Sequence, residues 1–226
     1  MTIRARGPRT LLALVAVLLP GRLRHWVHVR LLGHAIDPTA HLGHSFVDVD
    51  RLVMGPGAVI GHLNVVRGSE LVRLDEYALI GHLNFINAIR RDKGFFAEVD
   101  RRLELVLHPH ARIMMMHFVD ASDLVELHER ASLTGYWTQV MTHSYDPATA
   151  RQGTWPIVIG AWSLVNTRCT LLPGVRIAER CLVAAGAVVA GPLPEPLILY
   201  GGVPAKPLRT VPADIGMFVN EDVVIR

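Results

Sequence analysis

Between Ile159 and Val189 the chain repeats itself every six residues. Ile159, Val165, Leu171, Ile177, Val183 and Val189 are all aliphatic, and Ser163, Cys169, Val175, Cys181 and Ala187 fill the position four residues after each of the first five. A period of six fits neither an amphipathic helix nor a half-buried strand. A strict hexad predicts a parallel β-helix of triangular section, with three hexads to a coil.

The register can be followed through the earlier part of the chain. Ile36, Leu42, Met54, Ile60, Val66 and Val72 hold the aliphatic position, with Asp48 as the one break; the phase slips by two after Val72, and Ile80 restarts it. It returns at Leu127, Leu133 and Gln139, and Met114-Met115-Met116 reads as flexible core packing. Gly43, Gly61 and Gly81 each follow an aliphatic residue, which predicts tight corners with positive φ. Gly61-His62-Leu63-Asn64 recurs as Gly81-His82-Leu83-Asn84, one coil plus the slip, so the two tetrapeptides are expected above one another. His44, His62 and His82 then form a solvent-facing ladder on one edge. Imidazoles suit zinc, so the ladder also admits a metal reading, and an acceptor-binding edge is a third. Roughly seven coils fit, a prism about 33 Å tall at about 4.8 Å per coil.

Two segments leave the repeat. Residues 88–103 are charged and carry Phe95-Phe96; residues 144–156 run from Ser144 to Pro156. Long loops on a repeat scaffold often carry function. The domain plan is therefore a helical arm over 1–33, a β-helix over 34–210 with these two loops, and a tail over 211–226. The fold class is mainly β.

The chain has 226 residues, half of them apolar and 19% charged, which is enough to build a sizeable core. The net charge of +3 comes without a Lys/Arg stripe interleaved with aromatics, so no nucleic-acid partner is expected. Cys169 and Cys181 lie two faces apart on a three-faced coil. They are expected to be small core residues in a reducing compartment, not a disulfide. Leu11 to Leu19 is apolar behind Arg4, Arg6 and Arg9, but a bilayer span needs about 20 residues, and no small-x-small cleavage site precedes Pro20. Residues 10–32 read as a helical arm with three fates: packing on the protein's own coils or trimer, lying on an anionic membrane surface, or acting as a signal or anchor.

Three segments carry a resemblance. Ile159-Gly160 through Leu172-Pro173-Gly174-Val175-Arg176-Ile177 to Ala185-Gly186-Ala187-Val188-Val189 is similar to the final coils of the hexapeptide-repeat acyltransferases. Leu199-Tyr200-Gly201-Gly202-Val203-Pro204-Ala205-Lys206 resembles that family's Gly-Asn-Pro-Ala-Lys closing turn, with Val203 in place of asparagine. Thr138-Gln139-Val140-Met141-Thr142-His143-Ser144 resembles its segment bearing the catalytic histidine. Asn166 and Leu164 depart from the family's usual glycine and tryptophan. The resemblance covers residues 36–209 and lies closest to the acetyltransferase branch. It implies a left-handed β-helix, a homotrimer with active sites between subunits, and acetyl-CoA as co-substrate.

Acyl transfer from a thioester needs a group that removes the nucleophile's proton, and a neutral imidazole suits that task. The resemblance places His143 there as general base, with direct attack by the acceptor and no acyl-enzyme. Asp120, Glu126 and Asp146 are candidates to orient its ring. Gln139 or a backbone amide would steady the oxyanion. Asn84, His117, Gln139 and Tyr145 are candidates to touch the acceptor. Ala185, Gly186, Gly201 and Gly202 would let the pantetheine arm run along the backbone, and Lys206 and Arg209 would pair with its phosphates. The acceptor class implied is a sugar or glycan precursor hydroxyl, as in polysaccharide modification, and the location cytoplasmic, at the inner face of the membrane if the arm binds there. No metal is expected. Two rival readings stand beside this one. The first is a metal lyase like the carbonic anhydrase branch of the fold, faintly echoed in Val66-Arg67-Gly68-Ser69 but lacking its His-x4-His pair. The second is a β-helix that only scaffolds partners.

Overall fold

A computed structural model describes residues 6–96, 98–148 and 150–219. Residues 1–5 of the arm (Arg4 among them), 220–226 of the tail, and Ala97 and Thr149 in the two loops lie outside the described residues. Among the described residues, short strands stack into three sheets around one core. The first face holds seven strands, from Ala35–Ile36 to Arg176–Ile177. The second holds nine, from His41–Leu42 to Ile198–Gly201 and then the antiparallel Lys206–Thr210. The third holds seven, from Phe46–Asp48 to Val188–Val189. Where no loop intervenes, successive coils pair in parallel at or near one 18-residue coil, as Ala35 with Val53 and Thr170 with Val188, or up to a few residues more, as Val59 with Leu79 and Phe118 with Gln139.

The hexad aliphatics build this prism because each points inward above its counterpart. On the second face Leu42, Ile60, Ile80, Ile113, Leu133, Val165 and Val183 lie in register and are buried. Each such side chain stabilises the fold by about 1.5–3 kcal/mol through burial. Ser163, Cys169, Val175, Cys181 and Ala187 are all buried, and both cysteines are free.

Several register details differ from the sequence reading. At Asp48 the inward place is taken one residue earlier by Val47, which pairs with Val66. The two-residue slip falls at the corner 68–70, before Val72, so that Val72 and Leu74 both point inward from one four-residue strand. Gln139 points outward and its neighbour Val140 fills the core. The three methionines are half-buried at a corner and do not fill the core. Gly43, Gly61 and Gly81 do not have positive φ; that falls on Leu63 and Leu83, both at 60°. These glycines are required by close approach: a Cβ would lie 2.2, 2.3 and 2.1 Å from the carbonyl oxygens of Gly61, Gly81 and Met114 in the next coil.

Between the second and third faces a column of side chains holds the backbone where strand pairing lapses. Asn84 N–H donates to Asn64 Oδ1 (2.9 Å), His117 N–H to Asn84 Oδ1 (3.0 Å) and Thr138 N–H to His117 Nδ1 (3.2 Å). Outside this column, His44, His62 and His82 stack with ring centroids 5.5 and 5.6 Å apart.

The arm folds over the first coil. Helices Arg6–Ala16 and Gly21–Trp26 run into a turn at Val27–Leu31, and Ala13, Ala16, Val27 and Leu32 form a small core of their own. Two buried arginines dock it by supplying donors to the open end of the coil. Arg9 donates to the carbonyl oxygens of Leu32, Val49 and Asp50, and Arg24 to that of Leu42. No helix among the described residues is long and apolar enough to cross a membrane.

Candidate active site

Both loops leave the prism at one edge, between the third and first faces. Strands Phe85–Asn87, Phe118–Asp120 and Gln139–Val140 stack there on successive coils. The loop over 88–103 follows the first of them. A hairpin follows the third, with His143–Asp146 antiparallel to Arg151–Thr154. Asp120 ends the middle strand and is held between the two insertions.

The Asp120 carboxylate accepts five hydrogen bonds. Oδ2 receives Thr142 N–H (2.9 Å), Thr142 Oγ1 (2.6 Å) and His143 Nδ1 (2.7 Å), while Oδ1 receives the backbone N–H (3.1 Å) and hydroxyl of Ser122. Burial alone would push its pKa up, but the donors from His143, Ser122 and Thr142 outweigh burial and hold it below the ordinary carboxylate value. In return the bond from Asp120 raises the His143 pKa above 6.5, against smaller opposing effects of burial and the Arg101 charge. The carboxylate fixes the proton on Nδ1, which leaves the Nε2 lone pair available.

Loop 88–103 is fastened beside this pair. Ile89 N–H donates to Ser122 Oγ (2.8 Å), and the buried Arg101 donates from Nη1 to the carbonyl oxygens of Ile89 (2.7 Å) and Ser122 (2.9 Å). The Arg101 guanidinium also lies 4.9 Å from the centroid of the Phe96 ring, and Phe96 meets the His143 ring edge-on at 5.7 Å. The hairpin is tied down in a similar way: Thr154 Oγ1 donates to Asp123 Oδ2 (2.9 Å) and Trp155 N–H to the Thr142 carbonyl (2.8 Å).

Of the three carboxylates considered for His143, Asp120 alone reaches its ring. Asp146 Oδ1 accepts from Ala148 N–H within the hairpin, and Glu126 is bonded to His108 at the other end of the first face. Asn84 and His117 are buried in the corner column and do not reach the surface, which corrects the reading of them as acceptor contacts. Tyr145 is exposed on the hairpin opposite Gln152, and Gln139 is exposed on the third face. Ser122, Phe96 and Arg101 were not singled out individually in the sequence. The aromatic pair in a charged loop was the only signal pointing toward them.

The residues assigned to the coenzyme gather on another edge, between the second and third faces, at the carboxy-terminal end of the prism. Ala185 and Gly186 are exposed at the last full corner, Gly202 is exposed with φ of 99°, and Lys206 and Arg209 stand exposed on the closing strand. A Cβ on Gly186 would meet nothing within 4 Å. Gly201 is different: it is buried against Ala184 and Leu208, so its place is packing and not contact with a ligand. Within one chain the third face, roughly 15–20 Å wide at 3.3 Å per residue, separates these residues from His143.

No protein-family model and no curated protein matches the chain. Solved structures do match. A variant of the N-acyltransferase AntD from Bacillus cereus, in complex with dTDP and coenzyme A, shares 13% identity over 72% of this chain and 85% of that one, with a TM-score of 0.58. A hexapeptide-repeat acetyltransferase from Vibrio cholerae, complexed with acetyl coenzyme A, is 17% identical over 92% of this chain and 87% of that one, with a TM-score of 0.38. A maltose O-acetyltransferase from Clostridium difficile gives 13%, 92%, 86% and 0.38 on the same measures. At these identities the likeness establishes architecture, and it rests on the first of the three. The chain has the left-handed parallel β-helix fold, shared with the N-acyltransferase AntD.

Proposed function

We propose that the protein is an acyl-CoA-dependent acyltransferase, specifically an O-acetyltransferase that moves acetyl from acetyl-CoA to a hydroxyl of a sugar or glycan precursor. The observation that carries this reading is the His143–Asp120 pair, built where two loops leave the scaffold and with Nε2 unengaged by Asp120. The fold likeness and the three sequence segments supply the thioester and the acceptor class. AntD, an N-acyltransferase solved with dTDP and coenzyme A, is in keeping with acyl-CoA chemistry on this fold.

In this reading the acceptor oxygen attacks the thioester carbonyl while His143 Nε2 takes its proton. The tetrahedral species collapses, the carbon–sulfur bond breaks, and the proton passes from Nε2 to the departing thiolate. Asp120 keeps the ring in the right tautomer and stabilises the imidazolium formed on the way. Phe96 and the hairpin wall the base. The exposed backbone at Ala185, Gly186 and Gly202 suits the pantetheine arm, and Lys206 and Arg209 suit the phosphates.

Because these two sets of residues lie on different edges, the complete site needs a second copy of the chain. A homotrimer with sites between subunits meets that need. An exposed apolar strip supports such burial: on the third face Phe118 lies between Phe85 and Trp137 with ring centroids 6.2 Å away on each side, and Leu83 is exposed at the adjoining corner. Sedimentation equilibrium should give three times 24.9 kDa.

A membrane role for the arm is supported by one observation. Leu11, Leu14 and Val15 are exposed on the outer side of the first helix and Leu18 just beyond its end, while Ala13 and Ala16 face the protein. Changing Leu11, Leu14 and Leu18 to serine should release the protein from anionic vesicles without loss of transfer to a soluble acceptor. If the unaltered protein never sediments with vesicles, the inner-membrane location is wrong.

The first test needs no acceptor. Acetyl-CoA, against an acetate control, should raise the thermal midpoint, by about 2.7 kcal/mol of stability at 100 times the dissociation constant. If neither acetyl-CoA nor longer acyl thioesters raise it, the transferase reading fails and the scaffold reading stands.

A further inference from the structure

A second cluster of titratable groups lies at the opposite end of the first face from His143. His108 and His128 follow Leu107 and Leu127, which pair in register on adjacent coils, and their ring centroids are 5.1 Å apart. Glu126, on the outer side of strand Val125–Leu127, lies between them. Its Oε1 is 2.7 Å from His108 Nε2 and its Oε2 is 3.9 Å from His128 Nε2. One donor atom from each of the three residues lies within 4.8 Å of the others, all accessible to solvent. Across the next coil, Asp75 Oδ2 is 3.6 Å from the other nitrogen of His108, and Arg73 holds that carboxylate at 2.9–3.0 Å.

We propose that His108 Nε2, the Glu126 carboxylate and His128 Nε2 bind one divalent transition ion of the zinc class, with a fourth position left to water. Two imidazoles and a carboxylate form a ligand set suited to such ions. Asp75 stands behind His108 with its carboxylate 3.6 Å from Nδ1, too far for a hydrogen bond but placed to favour a proton on Nδ1 and so to leave Nε2 for a metal. The spacing is set by paired strands of the prism and not by a mobile loop. As a plain surface ion pair the same cluster would contribute little, because its members are a quarter to nearly half exposed.

The histidine ladder lacks these features. Its His62 and His82 rings are 4° from parallel at 5.6 Å, and their Nδ1 atoms accept the backbone N–H groups of His44 and His62. Parallel rings whose Nδ1 atoms already accept backbone N–H groups do not turn their nitrogens toward a shared ion. Among the described residues the His108 cluster is therefore the better metal site, and the ion it binds would staple two coils together.

The test uses untagged full-length protein equilibrated with zinc chloride at pH 7.5, desalted, and assayed for zinc per chain and for thermal midpoint, with magnesium as control. We expect about one zinc per chain and a raised midpoint with zinc alone. Both should be lost in His108→Ala/His128→Ala, and zinc affinity should fall about tenfold or more in Glu126→Gln. Asp75→Asn should weaken affinity by less, about tenfold at most. His62→Ala and His143→Ala should keep the ion. If the double variant unfolds, Glu126→Gln and His128→Gln, both at partly exposed positions, carry the test alone. No retained zinc at pH 7.5, zinc that survives these substitutions, or zinc that leaves with His62 overturns the proposal.

Discussion

The edge carrying His44, His62 and His82 and the edge carrying His143 use the same side chain to opposite ends. On the first edge the coils stack without interruption, and His62 and His82 each turn Nδ1 to a backbone N–H of the coil before, at 3.1 and 3.0 Å. Their chemistry is consumed in joining coil to coil. On the second edge two insertions interrupt the stack, a carboxylate fills the gap, and His143 Nδ1 meets Asp120 instead. A regular β-helix thus makes its polar residues structural, and the pair proposed as the catalytic base, His143 with Asp120, arises where the repeat is broken.

The contrast can be broken most severely at His143. His143→Ala should lower transfer by about 100- to 10,000-fold with circular dichroism and oligomeric state unchanged; equal activity would show that the broken edge is not the reactive one. Asp120→Asn should cost less, about 10- to 100-fold, the equivalent of a charged hydrogen bond worth about 1.5–3 kcal/mol. Its pH profile carries more information. The base works neutral, so the rate should rise with pH through a value above 6.5 in the native protein, and this limb should move down when Asp120, which raises it, is neutralised.

The structural histidines sharpen the comparison through stability. Burial pushes His28 and His117 to about 4 and His34 to about 3. Groups depressed in this way bind protons more readily when unfolded. Their contribution is therefore present above 6.5 and is lost as pH falls, at about 1.4 kcal/mol per pH unit for each. Asp120, held below the ordinary 3.8, acts in the same direction at lower pH. His143 acts oppositely: its raised pKa contributes stability that is present below 6.5 and fades as pH rises through the folded value. Three groups outweigh one, so the thermal midpoint should drop steadily from pH 6.5 to 4, and a flat midpoint over that range would contradict the buried, neutral assignment. Next in size is Asn84→Ala, which strands the His117 N–H and the Met114 carbonyl in the interior and should cost about 1–3 kcal/mol in denaturant melts with transfer intact. His62→Ala should cost least, about 0.5–1.5 kcal/mol, since the His44 N–H it frees is near water.

The hexads made the prism legible because inward aliphatics recur at a period that neither a helix nor an alternating strand explains, and the Gly61 and Gly81 tetrapeptides do lie one above the other. Asp120 was only one of three carboxylates in view. Its approach to His143 depends on corner lengths at 121–123 and at 141–142, where the hexad count slips and the sequence gives no ruler. Asn84 and His117 were misread for a related reason: a polar residue at an inward corner looks, in a one-dimensional pattern, like one on the surface. The glycines after the aliphatics were rightly noticed as corner residues, but the cause is the carbonyl of the next coil and not φ. Only stacked coils reveal that contact.

The most direct test of the contrast is nitrogen-15 NMR of the histidine side chains through a pH titration. The account predicts that His143 carries its proton on Nδ1 when neutral and titrates above 6.5, whereas His62 carries its proton on Nε2 and titrates below 6.5. A His143 with the Nε2–H tautomer, or one titrating below His62, would contradict it.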